Sequence, residues 1–265
     1  MSFPKVIGKP ADAFNEVLPG VFCAEGHFNV GPGICVLRTM TVVKEGSELA
    51  IINSVRLNEE GLKALDALGT VKHVVKQTPG HGADDAFYMN RYPSAKLWAH
   101  KDANWVGAGH PNLKATDDLS QSAPFGMQVY SLKGLDAHKM KEFKEVVLLH
   151  NKVLITGDCI QNYVQESGDI KVSPGCNANF GGRKMTPMLG FKGRAAIVNM
   201  YLKLFSPDGK WESLKADFEH ILTMDFDALV PCHGFVIPKG AKADLKKSVD
   251  ARNAAPAGGG ACTVC

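Results

Sequence analysis

Short apolar runs that stop at glycine or proline, beside a histidine or an aspartate, recur along this chain. Three of them stand out: residues 71–76, which lead into a loop with His81; residues 153–156, which end in Gly157-Asp158; and residues 228–231, which are followed by Cys232-His233-Gly234. Such runs are typical of buried β-strands, and ligands in layered α/β folds gather where strands end. Histidine and aspartate together suit zinc, iron or manganese. The pattern therefore predicts that the three strand ends build one metal site.

The remaining pattern predicts a β-meander followed by strands and helices that alternate. The predicted strands are 20–24, 35–43, 49–54, 71–76, 96–99, 127–130, 145–150, 153–158 and 228–231. The predicted helices are 59–68 with Asn58 as N-cap, 84–91, 193–205, 211–224 and 241–249. Two segments rich in Gly, Pro and Asn, 107–126 and 162–192, are interpreted as long loops. This order favours a layered α/β domain over residues 1–249, with sheets inside and helices outside.

Composition narrows the class of protein. The chain has 265 residues and a formal charge of +3, too small a charge to indicate a nucleic-acid partner. No apolar stretch approaches the ~20 residues of a transmembrane segment, and the N-terminus lacks the apolar core of a signal peptide. Seven cysteines without a disulfide-like spacing favour reduced thiols and a cytoplasmic setting. We expect a small-molecule substrate, and the sequence carries no signal for an oligomeric state.

Residues 250–265 are predicted to form a flexible Ala/Gly-rich tail ending in Cys-Thr-Val-Cys. Cys262 is fourth from the end, as in a prenylation box, although Thr263 and the final Cys265 depart from that pattern. Lipidation at Cys262 would imply peripheral membrane association. The alternative is a disordered tail whose cysteine spacing has no function.

The strand ends together resemble the metallo-β-lactamase-fold superfamily over roughly residues 17–248. The resemblance rests on Asn53, on the loop from Thr78 to Asp85, on 154–158 and on 230–234. It implies a four-layer αββα sandwich with the site along one edge, and it implies that Asp158 occupies the position of the metal-bridging aspartate.

One motif of that family is altered in this chain. Where the family has His-x-His-x-Asp-His, the sequence after Thr78 places Pro79 at the first histidine, Ala83 at the aspartate and Asp84 at the last histidine. His81, at the second histidine, is retained. The resemblance therefore does not carry over the family's two-zinc chemistry.

The candidate metal ligands are His81, Asp84, His138, Asp158 and His233. His81, Asp84, Asp158 and His233 each also have an interpretation in which they bind no metal. His81 is then a solvated loop residue, Asp158 a turn residue, and His233 a side chain packed under the last helix. Asp84 and Asp85 are good helix N-caps, and the cap is favoured for Asp85. As an oxygen ligand, Asp84 would favour manganese or iron over zinc.

Two histidines compete for the family's remaining ligand position. If Asn151-Lys152 is a two-residue turn, Val153 faces His150, and Asp158 faces Glu145. His150 then lies ~20 Å away at the wrong end of the hairpin, so we choose His138. Glu145 is interpreted either as a carboxylate at or behind the metal or as a solvent-facing strand residue.

These residues predict a metal-dependent hydrolase-like protein. It would act on a small ester, thioester, lactone or phosphoester through a metal-bound water, with one or two ions of zinc, manganese or iron. The alternative is a catalytically degenerate scaffold or small-molecule binding protein that holds no metal. Metal content discriminates between the two.

Overall fold

Two β-sheets form the centre of the protein in a computed structural model, which describes residues 14–31, 34–164 and 193–254. The larger sheet has the strand order β1 to β7: β1 Asn15–Leu18, β2 Val21–Gly31, β3 Ile34–Glu45, β4 Glu48–Ile52, β5 Thr70–Lys76, β6 Lys96–Ala99 and β7 Asp117–Asp118. Strands β1 to β4 are antiparallel, which confirms the predicted meander. Strands β4 to β7 are parallel, so their carboxyl ends share one edge.

The smaller sheet has the order β11-β10-β9-β8: β8 Gln128–Ser131, β9 Val146–His150, β10 Val153–Thr156 and β11 Ala228–Pro231. Val153 pairs with His150, which confirms the predicted two-residue turn. Asn151 and Lys152 have φ of 45° and 65°, the left-handed conformation that such a hairpin turn requires. Strands β10 and β11 are parallel, so both end at the same edge.

Five α-helices lie within the described residues: α1 Glu59–Leu68, α2 Asp85–Arg91, α3 Asn199–Phe205, α4 Lys215–Thr223 and α5 Ala241–Asn253. The Asn58 side chain accepts a hydrogen bond from the Gly61 amide at 2.9 Å, as its prediction as an N-cap of α1 requires. Helix α3 begins later than predicted because the backbone of Ala196 pairs with Gln161 instead of continuing a helix. Neither α5 nor any other helix among the described residues is long and apolar enough to cross a membrane.

Three apolar clusters separate the layers. Side chains between the two sheets form one cluster, which includes Val75, Ile155 and Val230. A second cluster packs α1 and α2 on the outer face of the larger sheet. The third packs α3, α4 and α5 on the outer face of the smaller sheet. This arrangement confirms the predicted four-layer αββα sandwich.

Two predicted segments need separate comment. Within the predicted loop 107–126, a two-residue strand, β7, extends the larger sheet, and Leu119 is fully buried. Most of the predicted loop 162–192 and the end of the tail, with Cys262, lie outside the described residues. Helix α5 continues to Asn253, past the predicted start of the tail at residue 250.

Candidate metal centre

Three strand ends meet at one edge of the sandwich. His81 follows β5, Asp158 follows β10, and Cys232 and His233 follow β11. Each of these four residues offers one donor atom, and the four donor atoms all lie within 4.8 Å of one another. The structure therefore brings together the three strand-end residues that the sequence selected and adds a thiol.

The separations between the donor atoms match those around a metal ion. The Nε2 atoms of His81 and His233 are 3.2 Å apart, and they lie 3.4 and 3.1 Å from Asp158 Oδ1. Cys232 Sγ is 3.6 Å from the same oxygen. Ligands at ~2.1 Å from a tetrahedral ion are ~3.4 Å from one another, and a sulfur ligand at ~2.3 Å lengthens that edge to ~3.6 Å. The residues present thus fit one small transition-metal ion.

The His233 ring is held in one orientation. Its Nδ1 atom lies 2.7 Å from the carbonyl oxygen of Leu37 in β3, so Nδ1 carries the proton and donates it to that oxygen. Nε2 faces Asp158 and His81, and it offers a lone pair whenever the ring is neutral. A backbone carbonyl that fixes the tautomer of a histidine in this way is typical of metal ligands.

Lys76 stabilises the loop that carries His81 through hydrogen bonds to its backbone. Its ammonium group donates hydrogen bonds to the carbonyl oxygens of Pro79, at 2.9 Å, and of His81. Burial lowers the pKa of Lys76 to about 8, against the charges of Asp85 and Asp158. Burial also lowers the pKa of His81, so its imidazole is neutral at neutral pH, the form that binds metals.

Gly82 allows this loop to pass close to Trp105. Its φ is 99°, and a Cβ atom there would lie 2.6 Å from Trp105 Nε1. Glycine alone tolerates both this positive φ and this close approach to Trp105. The conformation of the backbone therefore explains the glycine that follows His81.

Asp158 is oriented by Thr78. The Thr78 hydroxyl donates to Asp158 Oδ2 at 3.0 Å, which leaves Oδ1 facing the two histidines and Cys232. Burial works to raise the pKa of Asp158, but its interactions with His81 and His233 outweigh burial and hold the pKa well below its usual range. Asp158 is therefore the ionised ligand of the group.

Glu145 is fully buried behind Asp158, so its interpretation as a solvent-facing strand residue is wrong. Its Oε1 accepts from the Cys159 amide at 2.8 Å, and its Oε2 lies 3.1 Å from Thr78 Oγ1. Burial, and then the charge of Asp158, raise the pKa of Glu145 to about 8. Because the one hydroxyl proton of Thr78 goes to the ionised Asp158, Oε2 of Glu145 carries a proton and donates it to Thr78.

Comparisons with known proteins address the fold. No protein-family model matches this sequence, and no curated protein matches it. A flavo di-iron protein from Thermotoga maritima, the H90N mutant, aligns with a TM-score of 0.59 and 13% identity over 93% of this chain and 62% of its own. The DIM-1 metallo-β-lactamase aligns with a TM-score of 0.57 and 13% identity over 94% of this chain and 99% of its own. The mono-zinc form of the FIM-1 metallo-β-lactamase from Pseudomonas aeruginosa aligns with a TM-score of 0.55 and 11% identity over 96% of this chain and 100% of its own.

The chain has the metallo-β-lactamase fold. The fold that the resemblance implied is thereby confirmed, at low sequence identity. At 11 to 13% identity, the likeness establishes the fold and no activity.

Asp84, at the last position of the altered metallo-β-lactamase-fold motif, is engaged by arginines. Its Oδ2 lies 3.4 Å from Arg38 Nη1 and accepts from the Arg56 amide at 3.1 Å, and its Oδ1 lies 3.5 Å from Arg56 Nε. Burial raises the pKa of Asp84, against the charges of both arginines. Asp84 is not in the group of donor atoms, so this geometry does not support its predicted role as a ligand.

Neither aspartate caps α2 with its side chain. Asp84 occupies the N-cap position but makes no side-chain cap hydrogen bond. Asp85, for which the cap was favoured, is the first residue of the helix. Its carboxylate instead accepts from Ser54 Oγ at 2.6 Å and from Trp105 Nε1 at 2.7 Å. The loop is thus tied to its neighbours by buried polar contacts.

His138 and His150 both lie away from the donor group. The His138 ring stacks on Phe143 with centroids 4.5 Å apart, and its Nδ1 accepts from the Met140 amide at 3.1 Å. His150 lies at the opposite end of the β9–β10 hairpin, 3.6 Å from Glu45. The predicted placement of His150 is confirmed, and the choice of His138 as a ligand finds no support in this geometry.

Gln77, directly after β5, connects the two sheets beneath the site. Its Nε2 donates to the carbonyl oxygens of Val146, at 3.2 Å, and Ile155, at 3.0 Å, while its Oε1 accepts from Asn53 at 2.7 Å. The sequence assigns no role to Gln77, and Thr78 serves there only to mark the start of the altered loop. Cys232 was quoted as part of a motif but was interpreted only as a buried thiol.

Proposed function

We propose that this protein binds one divalent transition metal through His81, Asp158 and His233 and hydrolyses a small ester, thioester, lactone or phosphoester. The observation that carries the proposal is the convergence of two imidazole Nε2 atoms on one carboxylate oxygen, at 3.4 and 3.1 Å. A bound ion would act as a Lewis acid and would lower the pKa of a water molecule from ~15.7 toward ~7.

The protein's own residues set the charge of the site. Asp158 contributes one negative charge, and the two imidazoles contribute none in their neutral form. Thr78 keeps Asp158 Oδ1 on the metal side by binding Oδ2. Glu145 holds its proton at Oε2 and so adds no second charge behind the site. Asp158 is thus the one anionic group among these three ligands.

We propose a single ion because the altered motif offers no second set of donors. The side chains of Pro79 and Ala83 have no ligand atoms. The carboxylate of Asp84 is shared by two guanidinium groups. Imidazole donors favour zinc or iron. The argument for manganese rested on Asp84 as an oxygen ligand, and its place beside Arg38 and Arg56 removes that argument.

The second candidate is a degenerate scaffold that binds a metal or a small molecule without turnover. The same losses at Pro79 and Ala83 favour it. Hydrolysis separates the two candidates: the metal-loaded protein should turn over model esters or phosphodiesters slowly, and a chelator should stop it. β-Lactams should be poor substrates. A metal-loaded protein that hydrolyses none of these would favour the scaffold.

The control for this experiment is the double variant Asp158→Ala, His233→Ala. We expect it to retain no metal and no chelator-sensitive activity. Activity that survives in this variant would come from another site or from a contaminant and would contradict the proposed role of the strand ends.

A further inference from the structure

We propose that the Cys232 thiolate is the fourth ligand of the metal, so that the ion is held by two imidazoles, one carboxylate and one sulfur. This inference rests on the metal-binding function proposed above. It deepens that function because it assigns a ligand to a position directly before His233, and it narrows the class of metal that the site accepts.

The position of the sulfur atom supports this assignment. Cys232 Sγ lies 3.6 Å from Asp158 Oδ1 and within 4.8 Å of the donor atoms of both histidines. The 3.6 Å separation equals the ~3.6 Å edge between a sulfur at ~2.3 Å and an oxygen at ~2.1 Å from a tetrahedral ion. The thiol thus lies at a ligand–ligand distance from the carboxylate oxygen and in the same group of donor atoms as the two imidazoles.

The backbone holds Cys232 in this place from both sides. Its amide donates to the carbonyl oxygen of Thr156 at 2.9 Å, and its own carbonyl accepts from the Thr39 amide at 2.8 Å. Thr156 ends β10 and Thr39 lies in β3, so both sheets fix the residue. A ligand on such a rigid support needs little reorganisation to bind a metal.

The bend after β11 allows two consecutive residues to reach one ion. Gly234 has a φ of 94°, and a Cβ atom there would lie 1.9 Å from the carbonyl oxygen of Asn162. Cys232 and His233 lie in the bend before this glycine, outside β11, so their side chains need not alternate between two faces as they would in a strand. Cys232 and His233 can then present Sγ and Nε2 to the same volume.

Cys159 provides an internal comparison. It is also a fully buried thiol and directly follows Asp158, yet it packs in the apolar cluster under α3, α4 and α5 and is not in the donor group. Two buried thiols thus flank the site, and only one of them is turned toward it. Cys159 supplies a matched control for every Cys232 variant.

The chemistry of ligation is a proton exchange without oxidation. The Cys232 S–H bond breaks, the proton goes to solvent, and the sulfur lone pair forms the bond to the metal. Thiolate is a soft donor and selects zinc or ferrous iron over manganese. An ion with four protein ligands can still accept a water or substrate atom as a fifth ligand, as zinc does in catalytic sites.

Cobalt(II) titration of the full, metal-free chain under reducing conditions tests the inference. Cobalt reports its ligands by absorption: visible bands appear when it is bound, and a near-ultraviolet charge-transfer band appears only with a thiolate ligand. We expect both signals in the unaltered protein. Cys232→Ser should lose the charge-transfer band, keep the visible bands, and bind cobalt at least roughly 10- to 100-fold more weakly. Cys159→Ser should keep both signals.

Three outcomes would overturn the inference. Visible bands without a charge-transfer band in the unaltered protein would remove Cys232 from the site and leave the proposed metal-binding function intact. A charge-transfer band that survives in Cys232→Ser and disappears in Cys159→Ser would show that Cys159, and not Cys232, is the thiolate ligand. No cobalt binding at all would overturn the proposed function and this inference with it. If Cys232→Ser does not fold, Cys232→Ala and the spectrum of the unaltered protein give the same decision.

Discussion

A buried aspartate, Asp84, and a largely buried one, Asp158, lie at the same edge of the sandwich and have different surroundings. Asp84 lies beside two guanidinium groups, from Arg38 and Arg56, at 3.4 and 3.5 Å. Asp158 lies among two imidazoles and a thiol at 3.1 to 3.6 Å. Both carboxylates have replaced water with protein groups, but only Asp84 has received permanent positive charge in exchange, because guanidinium groups do not lose their proton.

The difference shows how to separate a structural carboxylate from a ligand. A buried carboxylate is costly unless a cation compensates it. The protein itself supplies that cation for Asp84. For Asp158 it supplies lone-pair donors, of which His81 is neutral at neutral pH because burial lowers its pKa. Under the proposed function, a metal ion would supply the positive charge beside Asp158, whereas two guanidinium groups already lie beside Asp84.

Removing the charge of Asp84 should have the largest effect on stability. Asp84→Asn leaves two arginines, with side chains 15% and 12% exposed, without their buried counter-charge. We expect the free energy of unfolding to fall by roughly 3 kcal/mol. Denaturant unfolding of the metal-free protein measures it.

The matched variant for this comparison is Asp158→Asn, in the absence of metal. It should destabilise the protein far less than Asp84→Asn, since the neighbours of Asp158 do not carry a permanent charge. Equal losses of stability in both variants would remove the distinction between the two aspartates.

Glu145→Gln should have a smaller effect that depends on pH. The folded protein keeps the Glu145 proton up to about pH 8, whereas an ordinary glutamate releases it near 4.5. Between these values the unfolded chain binds fewer protons, so the stability of the metal-free protein falls as pH rises. Glutamine reproduces the protonated form, since its amide donates to Thr78 and its carbonyl oxygen accepts from Cys159.

Urea unfolding from pH 5 to pH 9 measures this effect. Glu145→Gln and the unaltered protein should be similar at pH 5, and the variant should be more stable at pH 9 by on the order of a few kcal/mol. A variant that is less stable at every pH would mean that Glu145 is ionised in the folded protein.

Histidines outside the donor group should matter least. His138→Ala removes a ring that stacks on Phe143, and His150→Ala acts at the far end of the hairpin. We expect both variants to bind metal with less than about a threefold change in affinity, because His138 packs on Phe143 and no side chain spans the ~20 Å between His150 and the donor group. Isothermal titration with zinc measures it. Loss of metal in His138→Ala alone would restore the ligand that the sequence selected.

The sequence predicted the strands that end at the site, but it did not predict most of the side-chain contacts around the site residues. The strands that precede His81, Asp158 and His233 are marked by apolar runs that stop at glycine or proline, a signal that is local in the chain. The register of the hairpin followed from the turn at Asn151-Lys152.

The partners of Asp84 could not be predicted in the same way. Arg38 and Arg56 are 46 and 28 residues away in the sequence, and only the packed sheets bring them to the loop. The contacts of Thr78 with the carboxyl groups of Glu145 and Asp158 could not be predicted either, because Thr78 is 67 residues from Glu145 and 80 residues from Asp158 in the sequence. Whether a buried carboxylate is compensated is a property of the packed structure.

Metal content measured on three proteins tests the central claim most directly. Elemental analysis of purified, untagged protein should find about one transition-metal ion per chain in the unaltered protein and in Asp84→Asn, and none in Asp158→Asn. Unaltered protein without metal, whose thermal stability does not change on addition of zinc, manganese or iron, would contradict the claim that Asp158 and its neighbours form a metal site. Loss of the metal in Asp84→Asn, in a variant that remains folded, would contradict the claim that Asp84 is structural.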